Sequence, residues 1–240
     1  MNYHVTLFGT WRLTRDGESI SMPSSAQRLV AFVCLNDSPS RSYAAGTLWS
    51  EVTEQRAHAS MRSAVWRVAR AAPGLLVTQD DRLCNGPGVT MDVQDLRDIF
   101  VRFLDNPGDD FDYSQWSDAL TGDLLPGWYD DWVLVERERL RQMRIHALES
   151  IARRLGNQHR YAEGIEVGMA AVAVAPLRES AHREVIRIHL AEGNVAEALR
   201  QFEVCAQLLR SDLGLEPSDQ MLDLMQPVLD AGASWGAQNA

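Results

Sequence analysis

No lysine occurs among the 240 residues: all 23 basic side chains are arginine. A GC-rich genome produces that bias through mutation pressure, so no function is read from it. Cysteine is also scarce. Cys34, Cys84 and Cys205 lie far apart with no CxxC pair, which excludes the common zinc and redox frameworks and predicts reduced, mostly buried thiols. Long apolar runs are missing: the longest uncharged stretch, Val167 to Leu177, falls well short of the roughly 17–25 residues that span a bilayer. The opening MNYHVTLFGTWRL has no basic region followed by an apolar core and a cleavage site, so a cytoplasmic chain without a membrane span is expected.

The parts of an enzyme are missing as well. There is no GxSxG, P-loop or GxGxxG motif. His182 and His189 are seven apart, but HREVIRIH is not HExxH and no nearby thiol completes a zinc set. Asp109, Asp110 and Asp112 sit in a turn-rich stretch with no base to organise, and read as a solvated linker. Trp128, Tyr129 and Trp132 read as a packing cluster at the start of a long helix, not as a ligand cage. No cofactor, no metal and no catalytic activity are expected.

What is present is ordinary in bulk and uneven in distribution. With 45% hydrophobic and 23% charged residues the chain is globular, and its length suits two domains or one large one. The net charge of −10 hides an asymmetry. Residues 1–92 hold nine arginines and eight acids, net +1, whereas residues 93–240 hold fourteen and twenty-five, net −11. The stretch from Gln55 to Ala72 carries Arg56, Arg62, Arg67 and Arg70 with no acid.

Alternation at Val5, Leu7, Trp11 and Leu13, with a turn at Asp16-Gly17, predicts small paired strands. Helices follow at about Ser25 to Leu35, with Leu29, Phe32, Val33 and Leu35 as its apolar stripe, and at Ser40 to Trp49, packed through Tyr43, Leu48 and Trp49. A third helix runs from about Thr53 to Ala72. Beyond Pro73-Gly74, LLVTQDDRLCNGPGVTMDV reads as a β-hairpin. Strands, three helices and a hairpin make a winged helix-turn-helix over residues 1–100. Asn106 to Asp110 is a candidate junction.

The rest is helical. Trp132 to Leu155 reads as one long helix with Val135, Leu140, Met143, Ile145, Leu148 and Ile151 as packing positions. Tyr161-Ala-Glu-Gly-Ile165 resembles Val195-Ala-Glu-Ala-Leu199 at an offset of 34, the period of tetratricopeptide helix pairs, while the Gly156-Asn157 and Gly193-Asn194 breakers are offset by 37. The expected architecture is therefore mostly α with small β: a winged helix-turn-helix domain, then an all-α tetratricopeptide-like domain over about 109–230, then a disordered tail over 231–240.

On the third helix, at 100° per residue with Arg56 at zero, Ser63 falls at about 340°, Arg67 at 20°, Arg70 at 320° and Ser60 at 40°. Ala57, Val68, Met61 and Val65 fall between about 100° and 180° and form the apolar stripe, with Arg62 and Trp66 at the boundary. One side can anchor while the other offers donors to base edges and phosphates. Arginine suits this task because its planar fork pairs with guanine or phosphate through two hydrogen bonds at once. An Arg/Ser face alone is equally consistent with a solvated surface; the preceding helix and following hairpin favour a DNA reader. Arg82 at the hairpin tip is placed to reach a phosphate or the minor groove, although Asp80 and Asp81 flank it. A helical-repeat protein adaptor and a ligand sensor remain as rival readings.

LFGTWRLTRDGESI near the N-terminus, RAHASMRSAVWRVAR from Arg56 to Arg70, GDLLPGWYDDWVLVERERLRQ from Gly122 to Gln142 and LGLEPS from Leu213 to Ser218 together resemble the Streptomyces antibiotic regulatory protein family. The resemblance spans about Val5 to Leu229. It implies an OmpR-type winged helix joined to a bacterial transcriptional activator domain, and a transcriptional activator of secondary-metabolite gene clusters. Such a protein binds direct repeats in double-stranded promoter DNA as side-by-side subunits and recruits RNA polymerase holoenzyme. By position, the resemblance assigns Arg56, Arg62, Ser63, Arg67 and Arg70 to the DNA-facing set, which Ser60 and Arg82 join on the phase and hairpin arguments. The chain departs from the family pattern at Ala44, Ala45 and Gly46, where bulkier or charged residues are usual, which leaves the second helix without evident phosphate contacts.

Overall fold

The computed structural model describes residues 2–105 and 122–238. The expected junction at Asn106 to Asp110 and the carboxylates Asp109, Asp110 and Asp112 lie outside the described residues. The chain divides into two compact units, one built from Met1–Asp98 with Gly122–Arg139, the other taking in Leu140–Ala240.

The first unit opens with β1 (Tyr3–Thr6), β2 (Arg12–Arg15) and β3 (Glu18–Ser19). β1 and β2 pair antiparallel with Val5 opposite Leu13, and the two-residue turn to β3 places Asp16 and Gly17 at φ of 50° and 91°. That left-handed pair matches strand twist, and it is why Asp-Gly marks this hairpin. Three helices follow, α1 (Ser24–Leu35), α2 (Arg41–Leu48) and α3 (Glu54–Ala71). Leu29, Phe32, Val33 and Leu35 are all buried on α1, as their spacing predicts. Ser40 caps α2, its hydroxyl accepting from the Tyr43 amide at 3.1 Å. Ala44 and Ala45 are buried, so small residues serve the close approach of α2 to α3 where a bulky side chain would not fit. Of the expected packing residues on this segment, Leu48 is buried and Trp49 half-buried. Tyr43 is exposed, its ring tilted against that of Phe32 with centres 5.6 Å apart.

The segment expected as a single hairpin yields three strands: β4 (Leu76–Gln79), β5 (Arg82–Asn85) and β6 (Val89–Met91). β4 and β5 pair with each other, while β6 crosses to run parallel to β1, giving a sheet of order β3-β2-β1-β6. Helix α4 (Asp92–Asp105) starts directly after it. The Asp92 carboxylate accepts the Leu7 and Phe8 amides at 2.8 Å and so ties the helix start to the end of β1. Burial outweighs those bonds and raises its pKa.

Gly122–Arg139 join this unit through backbone pairing: Gly9 donates to the Asp123 carbonyl and Leu125 to that of Leu7, both at 2.8 Å, and Leu124 and Leu125 are buried. The Arg137 guanidinium spans the Leu124, Leu125 and Trp128 carbonyls. Trp132 packs edge-on against Phe32 and Trp128, whereas Tyr129, expected in the same cluster, is 80% exposed.

Helix α5 (Asp131–Asn157) starts in this unit and is followed by α6 (Tyr161–Val174), α7 (Glu179–Glu192), α8 (Val195–Leu208), a π-turn over Leu209–Leu213, and α9 (Asp219–Gln238). On α5 Leu140, Ile145, Leu148 and Ile151 are buried, Met143 is half-buried, and Val135 is exposed. Helical backbone continues through positions 231–238, where a disordered tail was expected.

The repeat is carried by backbone geometry. Tyr161 and Val195 each open a helix, and the residues before them, Arg160 and Asn194, take nearly the same conformation, φ −86° ψ 62° and φ −92° ψ 67°. One residue earlier, His159 and Gly193 are both left-handed. Arg160 donates to Leu155 at 2.9 Å and Asn194 to His189 at 2.8 Å, each bond reaching back five residues. Every one of these positions is offset by 34. Gly156-Asn157 lies inside α5 and is not the counterpart of Gly193-Asn194. Gly156 and Gly168 are instead packing glycines: a Cβ there would come within 2.9 Å of the Ile188 side chain and 2.8 Å of that of Val185.

The core of the second unit runs through Ile186, Ala198, Cys205, Leu209, Met221 and Met225. Buried acids are paired: Glu184 with Arg153 of α5 at 2.6 Å and, within its own helix, with Arg187 at 2.7 Å, and Glu149 of α5 with Arg178 just before α7 at 2.8 Å. In the LGLEPS segment Arg210 grips Glu216 at 2.6 Å and Glu179 receives the Ser218 amide at 2.9 Å, which holds the start of α9. The chain is mostly helical with a small sheet near its N-terminus, a winged helix-turn-helix followed by helical repeats.

Candidate nucleic-acid interface

Helix α3 buries Ala57, Met61, Ala64 and Val68. Val65, expected in this stripe, is only half-buried. With Ala64 at about 80° the stripe centres near 110° and not on Val65 at 180°, so the outward pole of the helix lies close to 290°. That rotation carries Trp66, at about 280°, from the boundary to the outermost line of the helix.

Arg56, Arg62, Ser63, Arg67 and Arg70 are exposed and Ser60 is half-buried. Their environments differ. Arg67 donates to the Ser25 hydroxyl on α1 at 2.8 Å. The Ser63 hydroxyl is spent on the Ala59 carbonyl at 3.1 Å, one turn back in its own helix. The Arg70 guanidinium carbon lies 5.4 Å from the centre of the Trp66 ring. Among the described residues Arg56, Arg62, Arg67 and Arg70 make no ion pair with a carboxylate. The acid in the first turn of α3, Glu54, faces His58 at 3.8 Å.

Arg82 is less available than its sequence position suggests. The tip of the β4–β5 hairpin is Asp80-Asp81, both left-handed, and Arg82 lies behind it with its guanidinium donating to the Ser38 carbonyl at 2.9 Å. Backbone bonds from Arg41 to Asp81 and from Leu83 to Pro39 fasten the hairpin to the segment leading into α2. Arg82 thus braces the hairpin on the body of the unit, while its side chain stays at the surface.

Some other titratable groups among the described residues are buried within the two units. Burial pushes the Cys34 thiol up to about 12 and the Cys205 thiol to about 11, which keeps both protonated and inert. His182 is buried, one ring nitrogen 2.8 Å from the Pro176 carbonyl and the other 2.8 Å from the Gln201 amide, and burial lowers its pKa. Among the described residues no cluster of three His, Cys, Asp or Glu side chains could hold a metal ion, and no helix is long and apolar enough to cross a membrane.

Comparison with known proteins agrees with this architecture. Residues 113–229 match the bacterial transcriptional activator domain. The chain is 28% identical to the regulatory protein AfsR of Streptomyces coelicolor over 253 aligned positions, covering 94% of this chain but only 24% of AfsR. It also superposes on EmbR of Mycobacterium tuberculosis, solved in complex with a low-affinity phosphopeptide, with a TM-score of 0.76 and 18% identity over 96% of this chain and 65% of that one. The last likeness establishes the fold: a winged helix-turn-helix followed by a helical activator domain. The domain match shows a bacterial transcriptional activator domain over residues 113–229, and with the AfsR similarity it supports a transcriptional regulator that resembles the Streptomyces antibiotic regulatory protein family.

Proposed function

We propose that this chain is a sequence-specific activator that inserts α3 into the major groove of promoter DNA. The observation that carries the reading is the outward face of α3, an acid-free run of arginines of which none is paired to a carboxylate among the described residues. Such a surface offers planar donors to guanine edges and to phosphates. Arg56, Arg62 and Arg70 are its principal donors, Ser60, Ser63 and Arg67 its flank, and Arg82 a hairpin contact that must leave Ser38 to reach a phosphate. Residues 1–100 form the DNA-binding domain and 109–230 the activator domain in this reading. The protein acts in the cytoplasm, bound side by side on direct repeats and recruiting RNA polymerase holoenzyme, with secondary-metabolite clusters as its targets.

Two subunits on adjacent repeats answer an energetic need. With few arginines per subunit and a net charge of −10 on the whole chain, a lone monomer holds DNA weakly, and paired sites add affinity by effective concentration. Footprinting on the promoter nearest the protein's own gene, followed by a salt titration on the protected duplex, tests the reading. Affinity should fall linearly in log–log salt, and Arg56→Ala or Arg62→Ala should each lower the slope by about one if the residue touches phosphate. An absence of any shift at low salt overturns it and favours a protein adaptor.

A further inference from the structure

Trp66 has no part in the core of its unit, where Ala57, Met61, Ala64 and Val68 supply the buried side of α3. Its indole is 59% exposed. A single exposed apolar side chain is unremarkable by itself; what separates Trp66 from the others is its place and its partner. It lies at the outward pole of α3, in the i, i+4 row Arg62–Trp66–Arg70, so it stands between two arginines on the surface that would meet a duplex first. Side chains on a helix lean toward its N-terminus, so Arg70 reaches back over Trp66, and its guanidinium carbon lies 5.4 Å from the ring centre.

This contact places the guanidinium over the ring, and among the described residues the Arg70 N–H groups make no hydrogen bond. An arginine held over a ring has lost rotamer freedom before it meets a ligand, so less is lost when it bonds. The neighbouring donors are differently placed, with Ser63 turned back to the Ala59 carbonyl and Arg67 bonded to Ser25. Next to the held fork of Arg70 lies a broad apolar plate that no phosphate would attract. In the major groove the apolar group is the thymine methyl, and the bidentate acceptor for arginine is guanine O6 with N7.

We propose that Trp66 is a specificity-determining residue: its indole packs on a thymine methyl while it holds Arg70 toward an adjacent guanine. The inference rests on the DNA-reading function of α3. It extends that function by adding an apolar contact to a surface otherwise described by its arginines.

The test uses the full chain. A preferred duplex is enriched from a random pool with the unaltered protein, and binding to it and to a scrambled duplex is compared for Trp66→Ala, Trp66→Phe and Arg70→Ala across a salt series. Each thymine of the preferred duplex is also replaced in turn by uracil, which removes only the methyl. Trp66→Ala should lose about 5- to 100-fold of the preference for the enriched duplex, the range of one good base contact. Its salt slope should be unchanged, since no charge is removed. Trp66→Phe should keep part of the preference, and provides the reading if the alanine variant folds poorly. One uracil position should weaken the unaltered protein several-fold and leave Trp66→Ala unaffected. Arg70→Ala should lose preference at the neighbouring guanine. Equal loss on both duplexes, an unaltered preference in Trp66→Ala, or no methyl position that separates the two proteins overturns the proposal while leaving the DNA-reading function standing. If the unaltered protein binds no duplex in a salt-dependent way, both fall together.

Discussion

Alanine decides the facing of α3. Ala64 is fully buried and Val65 only half-buried, although valine carries the stronger apolar signal. A small residue here fits the packing of α3 on its neighbours, and that demand belongs to the packed helices together, not to α3 alone. Met61→Asp should therefore unfold the first unit, because an unpaired carboxylate would be buried. Val65→Asp should leave a folded protein, with a loss of about 1 kcal/mol or less, and should weaken DNA binding by bringing negative charge near the arginine face. Chemical denaturation of the two variants checks this. Equal unfolding by both would restore Val65 to the core. The arginine face was legible because guanidinium groups seldom point inward. The exposure of Trp66 could have been found by weighting the buried alanines as fully as the larger residues.

Two glycines show how position within an element sets the sign of a substitution. Gly46 sits inside α2 with open space where a Cβ would go, so Gly46→Ala should stabilise by about 0.5–1 kcal/mol through the smaller backbone entropy of alanine. Gly193 ends α7 at φ 86°, so Gly193→Ala should destabilise by about 1–2 kcal/mol through left-handed strain. Thermal unfolding of both variants should show shifts of opposite sign. The same left-handed turn is made by His159 in the preceding repeat, at φ 60°, with its ring nitrogen 2.6 Å from the Tyr161 hydroxyl. This explains why the repeat was legible at its helix starts and obscured at its turns. YAEGI and VAEAL keep the same register, whereas the turn residue is glycine in one copy and histidine in the other. In the first copy Gly156 of the Gly-Asn pair serves packing against Ile188.

At the scale of the molecule, the groups buried on folding set the response to pH. His182 has a folded-state pKa lowered by burial, so below its unfolded value of about 6.5 the unfolded chain binds more protons and stability falls as pH drops. Asp92 acts in the opposite sense: its raised folded pKa means that the folded protein holds the proton more firmly, and stability gains as pH falls toward the carboxylate range. The second unit should therefore lose stability between pH 7 and 5, and His182→Gln should flatten that slope. Denaturant midpoints measured across this range check the sign. A wild-type midpoint that rises on acidification would show that His182 is not held neutral by the fold.

Periodicity, turn chemistry and local charge were enough to determine that this chain makes a small paired sheet, three helices, a hairpin and a series of amphipathic helices, and that arginines cluster on one helix without acids. Those are properties of neighbours along the chain, which a linear reading can measure. Tertiary structure alone decided that β6 crosses to β1, that Gly122–Arg139 pack with the N-terminal unit and that Arg82 braces its hairpin. Each depends on residues far apart in sequence or on how closely two helices can approach. Such distances follow from packing, and no local pattern of residues encodes them.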